Sequence, residues 1–345
     1  MAKRKTPKRT IIRWMSGLAL GLLLSVGTAC YWILTPLSLK SDVVDLAIEP
    51  GTSVRGVAQT IVASGVDTSP RALWLWFRLS GQSRTLRAGS YEITTGTSPW
   101  KLLQKLVRGD ESLRALTIPE GWSLAQMRRL IDQAEGLRHD TRGMSDAELM
   151  AHLGRPGLWA EGRFYPDTYT YGKGSSDVRI YQRALQAMER QLGRAWNVKN
   201  SGLALESSEQ ALILASIIEK ETGQAGDRPL ISAVFHNRLR LKMPLQTDPT
   251  VIYGLGSDFD GNLKRIHLRT DHPWNTYTRN GLPPTPIALP GKAALLAAVQ
   301  PASNQALYFV ARGDGSSQFS QTLEEHNAAV ERYQLRRQNA SGKAQ

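Results

Sequence analysis

The stretch Leu212–Thr222, LILASIIEKET, ends an apolar run with Glu219, Lys220 and Glu221. The run is too uniformly hydrophobic for a surface helix. At about 100° per residue, Leu212, Ala215, Ser216 and Glu219 share one stripe. Glu219 therefore faces an apolar or small-residue surface, where lost solvation favours the protonated carboxyl and suits a general acid. Glu221 lies roughly 200° around the helix, so the two do not serve one substrate as neighbouring carboxylates. Periodicity alone fits a catalytic acid and the first exposed residue after a buried helix equally well.

Downstream, MPLQTDPTVIYG (Met243–Gly254) packs Gln246, Thr247, Asp248, Thr250 and Tyr253 around a proline turn. WNTYTRNGLPPTPI (Trp274–Ile287) adds Asn275, Thr276 and Tyr277 beside a rigid Pro-rich turn. Amide, hydroxyl and aromatic side chains are what a sugar cleft needs, because sugar hydroxyls demand paired donors and acceptors and rings cover the apolar pyranose faces. The same residues also fit a Pro-pinned loop that satisfies its own backbone, and composition leaves both readings open. Other acids read as structural. Glu120 sits in a turn and is expected to cap a helix, Glu161 and Asp167 are isolated, and His326 with Asn327 is expected to open the closing helix in a capping role. Six histidines without ligand spacing, and Cys30 as the single cysteine, point to no zinc site and no disulfide. No cofactor is expected.

These residues need positioning elements. Ser207 and Gln210 have capping-box spacing, which starts the Glu219 helix near Ser208. Asp177–Trp196 reads as an amphipathic helix. Asp227–Leu241 reads as another, with Pro229 in its first turn and Asn237 and Arg238 close to its apolar face. Leu113–Pro119 is a short strand, Ser123–Gln133 a helix capped by Ser123, and Ala306–Arg312 with Ser317–Thr322 a hairpin around Gly313-Asp314-Gly315. Further upstream, Asp42–Gly109 alternates strands (Val43–Glu49, Ala88–Thr94) with helices (Ser53–Ser64, Arg71–Leu79, Pro99–Val107), a small α+β module. Its aromatic cluster Trp74, Trp76 and Phe77 is expected in the core.

The net charge of +13 over 345 residues is unevenly placed. Six of the 43 basic residues (Lys3, Arg4, Lys5, Lys8, Arg9, Arg13) precede Trp14, and without them the excess over 30 acidic residues falls to +7. That remainder suits an anionic polymer or a membrane surface, and no nucleic-acid-binding motif accompanies it. Trp14–Leu37 carries no charge and is long enough to cross a bilayer, with Trp14, Tyr31 and Trp32 at its ends and a cytoplasmic N-terminus indicated by the basic tail. An uncleaved anchor is favoured over a signal peptide cut after Ala29, because the apolar run continues past that point.

Four segments in order resemble the MltG (YceG-like) endolytic murein transglycosylases: Leu214–Thr222 (LASIIEKET), Leu245–Gly254 (LQTDPTVIYG), Asn275–Ile287 (NTYTRNGLPPTPI) and Tyr308–Asn327. The similarity runs over nearly the whole chain. It implies a cytoplasmic tail (1–13), a transmembrane helix (14–37), a LysM-like module (42–110), an α+β catalytic domain (111–335) and a polar tail (336–345). It also implies that Glu219 is the catalytic glutamate of a periplasmic domain at the inner membrane. There it would cut peptidoglycan glycan strands alongside synthases (penicillin-binding proteins) and terminate nascent strands. Gln246, Thr247, Asp248, Tyr253, Asn275, Thr276 and Tyr277 are the expected sugar contacts. His272 and Trp274 stand where serine and tyrosine are expected, and the LysM-like part is divergent. A hydrolase using a second carboxylate, with Asp248 the first candidate, and an inactive glycan-binding scaffold are the competing expectations.

Overall fold

The computed structural model describes residues 8–335. The expected polar tail from 336, and the part of the basic tail before Lys8, lie outside the described residues.

The first helix, α1 (Lys8–Leu34), contains one stretch, Met15–Leu34, long and apolar enough to cross a membrane. The helix begins before Trp14, and it stops at Leu34 ahead of Pro36, which restricts the residue before it. Leu37 turns into a protein core rather than continuing the span.

The structure divides into two compact units. The first runs to Arg114 and takes in Glu135–Arg138 and Thr170–Ser175. After the two-residue strand β1 (Ser38–Leu39) come β2 (Val43–Ile48), α2 (Val54–Ala63), β3 (Val66–Asp67), α3 (Pro70–Leu79), β4 (Gly89–Thr94) and α4 (Pro99–Arg108). Strands β2 and β4 pair antiparallel, with Leu46 opposite Tyr91 and Val44 opposite Ile93. The strand period of two sends Val44, Leu46 and Ile48 to one face, where Leu73 and Phe77 of α3 and Leu102, Leu103 and Leu106 of α4 cover them. Trp74 and Trp76 pack on the same core, as expected. Ser53, Ser69 and Ser98 cap the three helices through bonds from Gly56, Ala72 and Lys101 N–H.

The second unit holds Ala115–Ala134, His139–Tyr169 and the chain from Ser176. Strand β5 (Leu113–Thr117) pairs with β6 (Thr168–Gly172), with α5 (Leu124–Asp132) and α6 (Asp146–His152) between them in sequence. Next come α7 (Val178–Asn197), α8 (Ser208–Glu221), α9 (Arg228–Arg240), α10 (Asp248–Leu255), α11 (Arg265–Arg269), α12 (Lys292–Val299), the hairpin β7 (Tyr308–Ala311) with β8 (Ser317–Ser320), and α13 (Leu323–Val330). Helix α8 is the core of this unit. Its Leu212, Leu214, Ala215, Ile217 and Ile218 are buried among Met188 and Leu192 of α7, Ile231 and Phe235 of α9, and Ala294, Leu295 and Ala298 of α12. The alanines of α12 allow close approach, so a helix apolar on nearly every side is buried on nearly every side. Its start is half of a capping box. Ser207 accepts the Gln210 N–H, while the Gln210 side chain reaches past the cap to Glu206 N–H.

Candidate active site

Glu219 occupies the last turn of α8, and its side chain is only 6% exposed. Oε2 accepts the Gly291 N–H at 2.9 Å, and Arg228, at the first turn of α9, brings Nη2 to 3.6 Å from Oε1. The stripe read from periodicity is real. One turn back on it, Ser216 accepts the Ile287 N–H at 3.0 Å, so the Ile287–Gly291 segment lies along it. Gly291 is the N-cap residue of α12, so the carboxyl of Glu219 meets the positive end of that helix while sitting on the negative end of its own.

Burial is the largest influence on the Glu219 carboxyl and raises its proton affinity above the ordinary carboxylate range. The Gly291 bond pulls it back down, Glu120 pushes it up again, and Arg228 and Lys220 lower it. Such a group is disposed to hold a proton and is also equipped to carry the charge once the proton leaves. That suits an acid that must later act as a base.

The turn after β5 closes one side of the corner. Lys220 Nζ donates to Gly121 O at 3.2 Å, Gly121 N–H donates to Leu289 O, and Leu289 N–H returns a bond to Trp122 O. Gly121 has φ +75° and packs so close that a Cβ there would stand 3.7 Å from Glu219 Cγ. Glu120 stands in the turn before α5, whose N-cap is Ser123, as expected. Ser123 holds that position in a complete capping box with Gln126, and buried Glu161 accepts the Leu124 N–H. Burial raises the Glu161 carboxyl to about 7. The carboxyl of Glu120 lies instead against Gly291, where an added Cβ would overlap it.

Glu221 has a different set of neighbours. Thr247 donates its hydroxyl to Glu221 Oε1, and burial, with Asp248 nearby, raises this carboxyl to about 7. Around it the structure gathers most of the expected sugar contacts. Tyr277 donates to Asp248 Oδ1 at 2.6 Å, Thr250 and Thr276 bond each other, and the Thr276 hydroxyl accepts the Thr247 N–H. Asn275 is buried and gives its amide to the carbonyls of His267, Leu268 and Thr270. Tyr253 lies beside Glu161 and Thr285. Gln246 is exposed at φ +51°, a strained backbone for a residue other than glycine, and its side chain accepts from Arg238. Arg238 also holds Pro244 O, Leu245 O and Leu307 O and lies over Tyr308. Thr247, Asn275 and Thr276 are thus bound into the loop's own framework, while Gln246 and Asp248 face solvent.

One further expectation is revised. His326 does not open the closing helix, because Thr322 caps α13 in a full capping box and His326 stacks on Tyr308 from inside that helix. His272 and Trp274 stack on each other, and Trp274 packs against Tyr253 and donates to Thr285. Arg228 and Gly291 had no signal in the local sequence as partners of Glu219. The clue available was Pro229, which marks the first turn of α9 and so puts Arg228 at a helix N-terminus. Among the described residues no cluster of His, Cys, Asp or Glu is arranged to hold a metal ion.

Comparison with known proteins gives a consistent set of similarities. The model of the YceG-like family matches residues 46–332. An endolytic murein transglycosylase of Bacillus subtilis is 31% identical over 312 residues, covering 84% of each chain. An endolytic murein transglycosylase of Streptococcus pneumoniae is 27% identical over 322 residues, which is 83% of this chain and 58% of that longer one. Among solved structures, a yceG-like protein of Listeria monocytogenes matches with a TM-score of 0.53 at 30% identity, covering 84% of this chain and 99% of that one.

Proposed function

The chain belongs to the YceG-like family of lytic transglycosylases, and from that premise we propose that it cuts peptidoglycan glycan strands internally, with Glu219 as acid and then base. The observation that carries this reading is the Glu219 carboxyl, buried, raised in proton affinity, and held by Gly291 N–H and Arg228. Protonated Glu219 donates to the glycosidic oxygen between N-acetylmuramic acid and N-acetylglucosamine, and the C1–O bond breaks. The resulting carboxylate, stabilised by Gly291 and Arg228, takes the proton from the muramoyl 6-hydroxyl. The freed oxygen closes on C1 to give a 1,6-anhydro end and return Glu219 to its protonated form. No water enters the products. The Arg228 Nε is buried without a partner among the described residues and is a spare donor beside the acid. Gln246, Asp248 and Tyr277, with Thr247, Asn275, Thr276 and Tyr253 shaping the loops beneath them, are the proposed sugar-binding surface.

The chain is further proposed to be a single-pass inner-membrane protein. The Met15–Leu34 helix and the basic residues before it support a cytoplasmic N-terminus and a periplasmic catalytic domain (111–335). There it would act near peptidoglycan synthases and end nascent strands. The paired strands β2 and β4, with α2, the two-residue β3 and α3 between them in sequence, support reading 42–110 as a divergent LysM-like module.

A second reading has an observation of its own. Glu120 brings another carboxyl to Gly291, and a carboxylate pair across a glycosidic bond is the equipment of a hydrolase. The experiment that separates them is digestion of purified peptidoglycan in ¹⁸O-water with mass spectrometry of the products. Anhydro ends without ¹⁸O are expected. Reducing ends carrying ¹⁸O identify hydrolysis, and intact strands identify a scaffold.

A further inference from the structure

We propose that Glu120 is a positioning residue of the reaction, the anionic partner of Glu219 across Gly291, acting on the acid through space rather than on the sugar. The inference rests on the transglycosylase reading, with Glu219 as the acid; in the hydrolase reading Glu120 would itself act at the sugar.

The geometry begins with Gly291. Its N–H is bonded to Glu219 Oε2 at 2.9 Å, and its Cα faces Glu120 so closely that a Cβ would overlap the Glu120 carboxyl. Adding the backbone and Cα–Cβ bond lengths to that 2.9 Å puts the nearest oxygens of the two acids no more than about 8 Å apart. Only glycine at 291 permits this approach. The turn carrying Glu120 is also fixed. It is tied to the Leu289–Gly291 segment by the paired bonds between Gly121 and Leu289 and between Leu289 and Trp122, and to the end of α8 by Lys220 on Gly121 O. The turn is held from two sides, and α5 already has its cap in Ser123.

Electrostatics gives the arrangement a purpose. The charged groups facing Glu219 are Arg228 from α9, its own neighbour Lys220, and Glu120. Both cations, and the Gly291 N–H, draw the proton off. Glu120 is the one anion among them and opposes that pull. Tyr165, near Lys292 N–H, also lies in the field of Glu120. Without the Glu120 charge, Glu219 would lose its proton at lower pH, and the acid form needed for the first step would be depleted near neutrality.

The test is the pH–rate profile of the full chain, in detergent or lipid, on purified peptidoglycan. Glu120→Gln is expected to move the alkaline limb of kcat/KM to lower pH, with each pH unit of displacement costing about tenfold in rate above the limb. Rates on the acid side stay near wild type, and Glu120→Asp restores part of the shift. Gly291→Ala, which forces the Glu120 carboxyl away, moves the limb in the same direction and decides the matter if Glu120→Gln folds poorly. An unmoved limb in folded Glu120→Gln or Gly291→Ala overturns the proposal. The parent reading fails separately: if Glu219→Gln keeps wild-type turnover, both fall, whereas an inactive Glu219→Gln beside an unshifted Glu120→Gln removes this inference alone.

Discussion

Glu219 and Glu221 stand two residues apart on the last turn of α8, both buried and both raised in proton affinity, yet they meet different parts of the chain. Glu219 is met by a helix N-terminus, an arginine and a second acid. Glu221 is met by the hydroxyl of Thr247 and the negative field of Asp248. The first set can support both protonation states. The second set offers Glu221 no cation, so burial leaves it neutral over much of the accessible range. A raised pKa alone does not make an acid catalyst, because the group must also tolerate the charge it acquires.

The largest expected break in this symmetry is kinetic. Glu219→Gln should lower turnover of peptidoglycan by about 10²–10⁴-fold, the usual worth of a positioned acid–base group, while Glu221→Gln stays within a few-fold of wild type. Release of soluble muropeptides reads both. A smaller effect sharpens the role of the cation: Arg228→Met should cost roughly tenfold in kcat and move the alkaline limb to higher pH, because removing a positive charge raises the Glu219 pKa. That shift is opposite in sign to the one expected for Glu120→Gln.

Glu221 should reveal itself in stability instead. Its folded pKa of about 7 lies above the ordinary 4.5, so the folded state binds the extra proton between those values and stability falls as pH rises through that window. Glu221→Gln should remove up to about 3 kcal/mol of that fall, comparing denaturant melts at pH 4 and pH 8. The part due to Glu161, also raised to about 7, remains. The smallest effect is expected in the loop framework. Asn275→Ala leaves three carbonyls without its amide and should cost about 1–3 kcal/mol. A change in KM alone, with unchanged stability, would return Asn275 to direct sugar binding.

Much of the fold was legible because local signals agreed. The Ser–x–x–Gln spacing and apolar run located α8, and the strand read over Val43–Glu49 is β2 to within one residue. Helix α10 was hidden because TDPT reads as a proline turn, although Pro249 in its first turn is also a helix start signal. Helix α12 was missed for lack of a capping side chain, since its cap is Gly291. The stripe bearing Glu219 followed from periodicity. Of its partners, Arg228 opens the next helix, whereas Gly291 and Glu120 come from distant stretches of chain, and nothing local marks a glycine as the donor to a carboxyl 72 residues away. The Asn and Thr side chains of the later loops were recognised by type, but an amide that suits a sugar hydroxyl suits a backbone carbonyl equally well.

Glu219 as a proton donor is tested most directly by carboxyl ¹³C NMR titration of the full chain, with Glu219→Gln and Glu221→Gln used to assign the two resonances. Glu219 is expected to titrate above the ordinary glutamate value and to move to lower pH in Glu120→Gln, with Glu221 titrating near 7 in both proteins. A Glu219 resonance that titrates at or below 4.5 would contradict its assignment as the acid, because the group would hold no transferable proton near neutral pH.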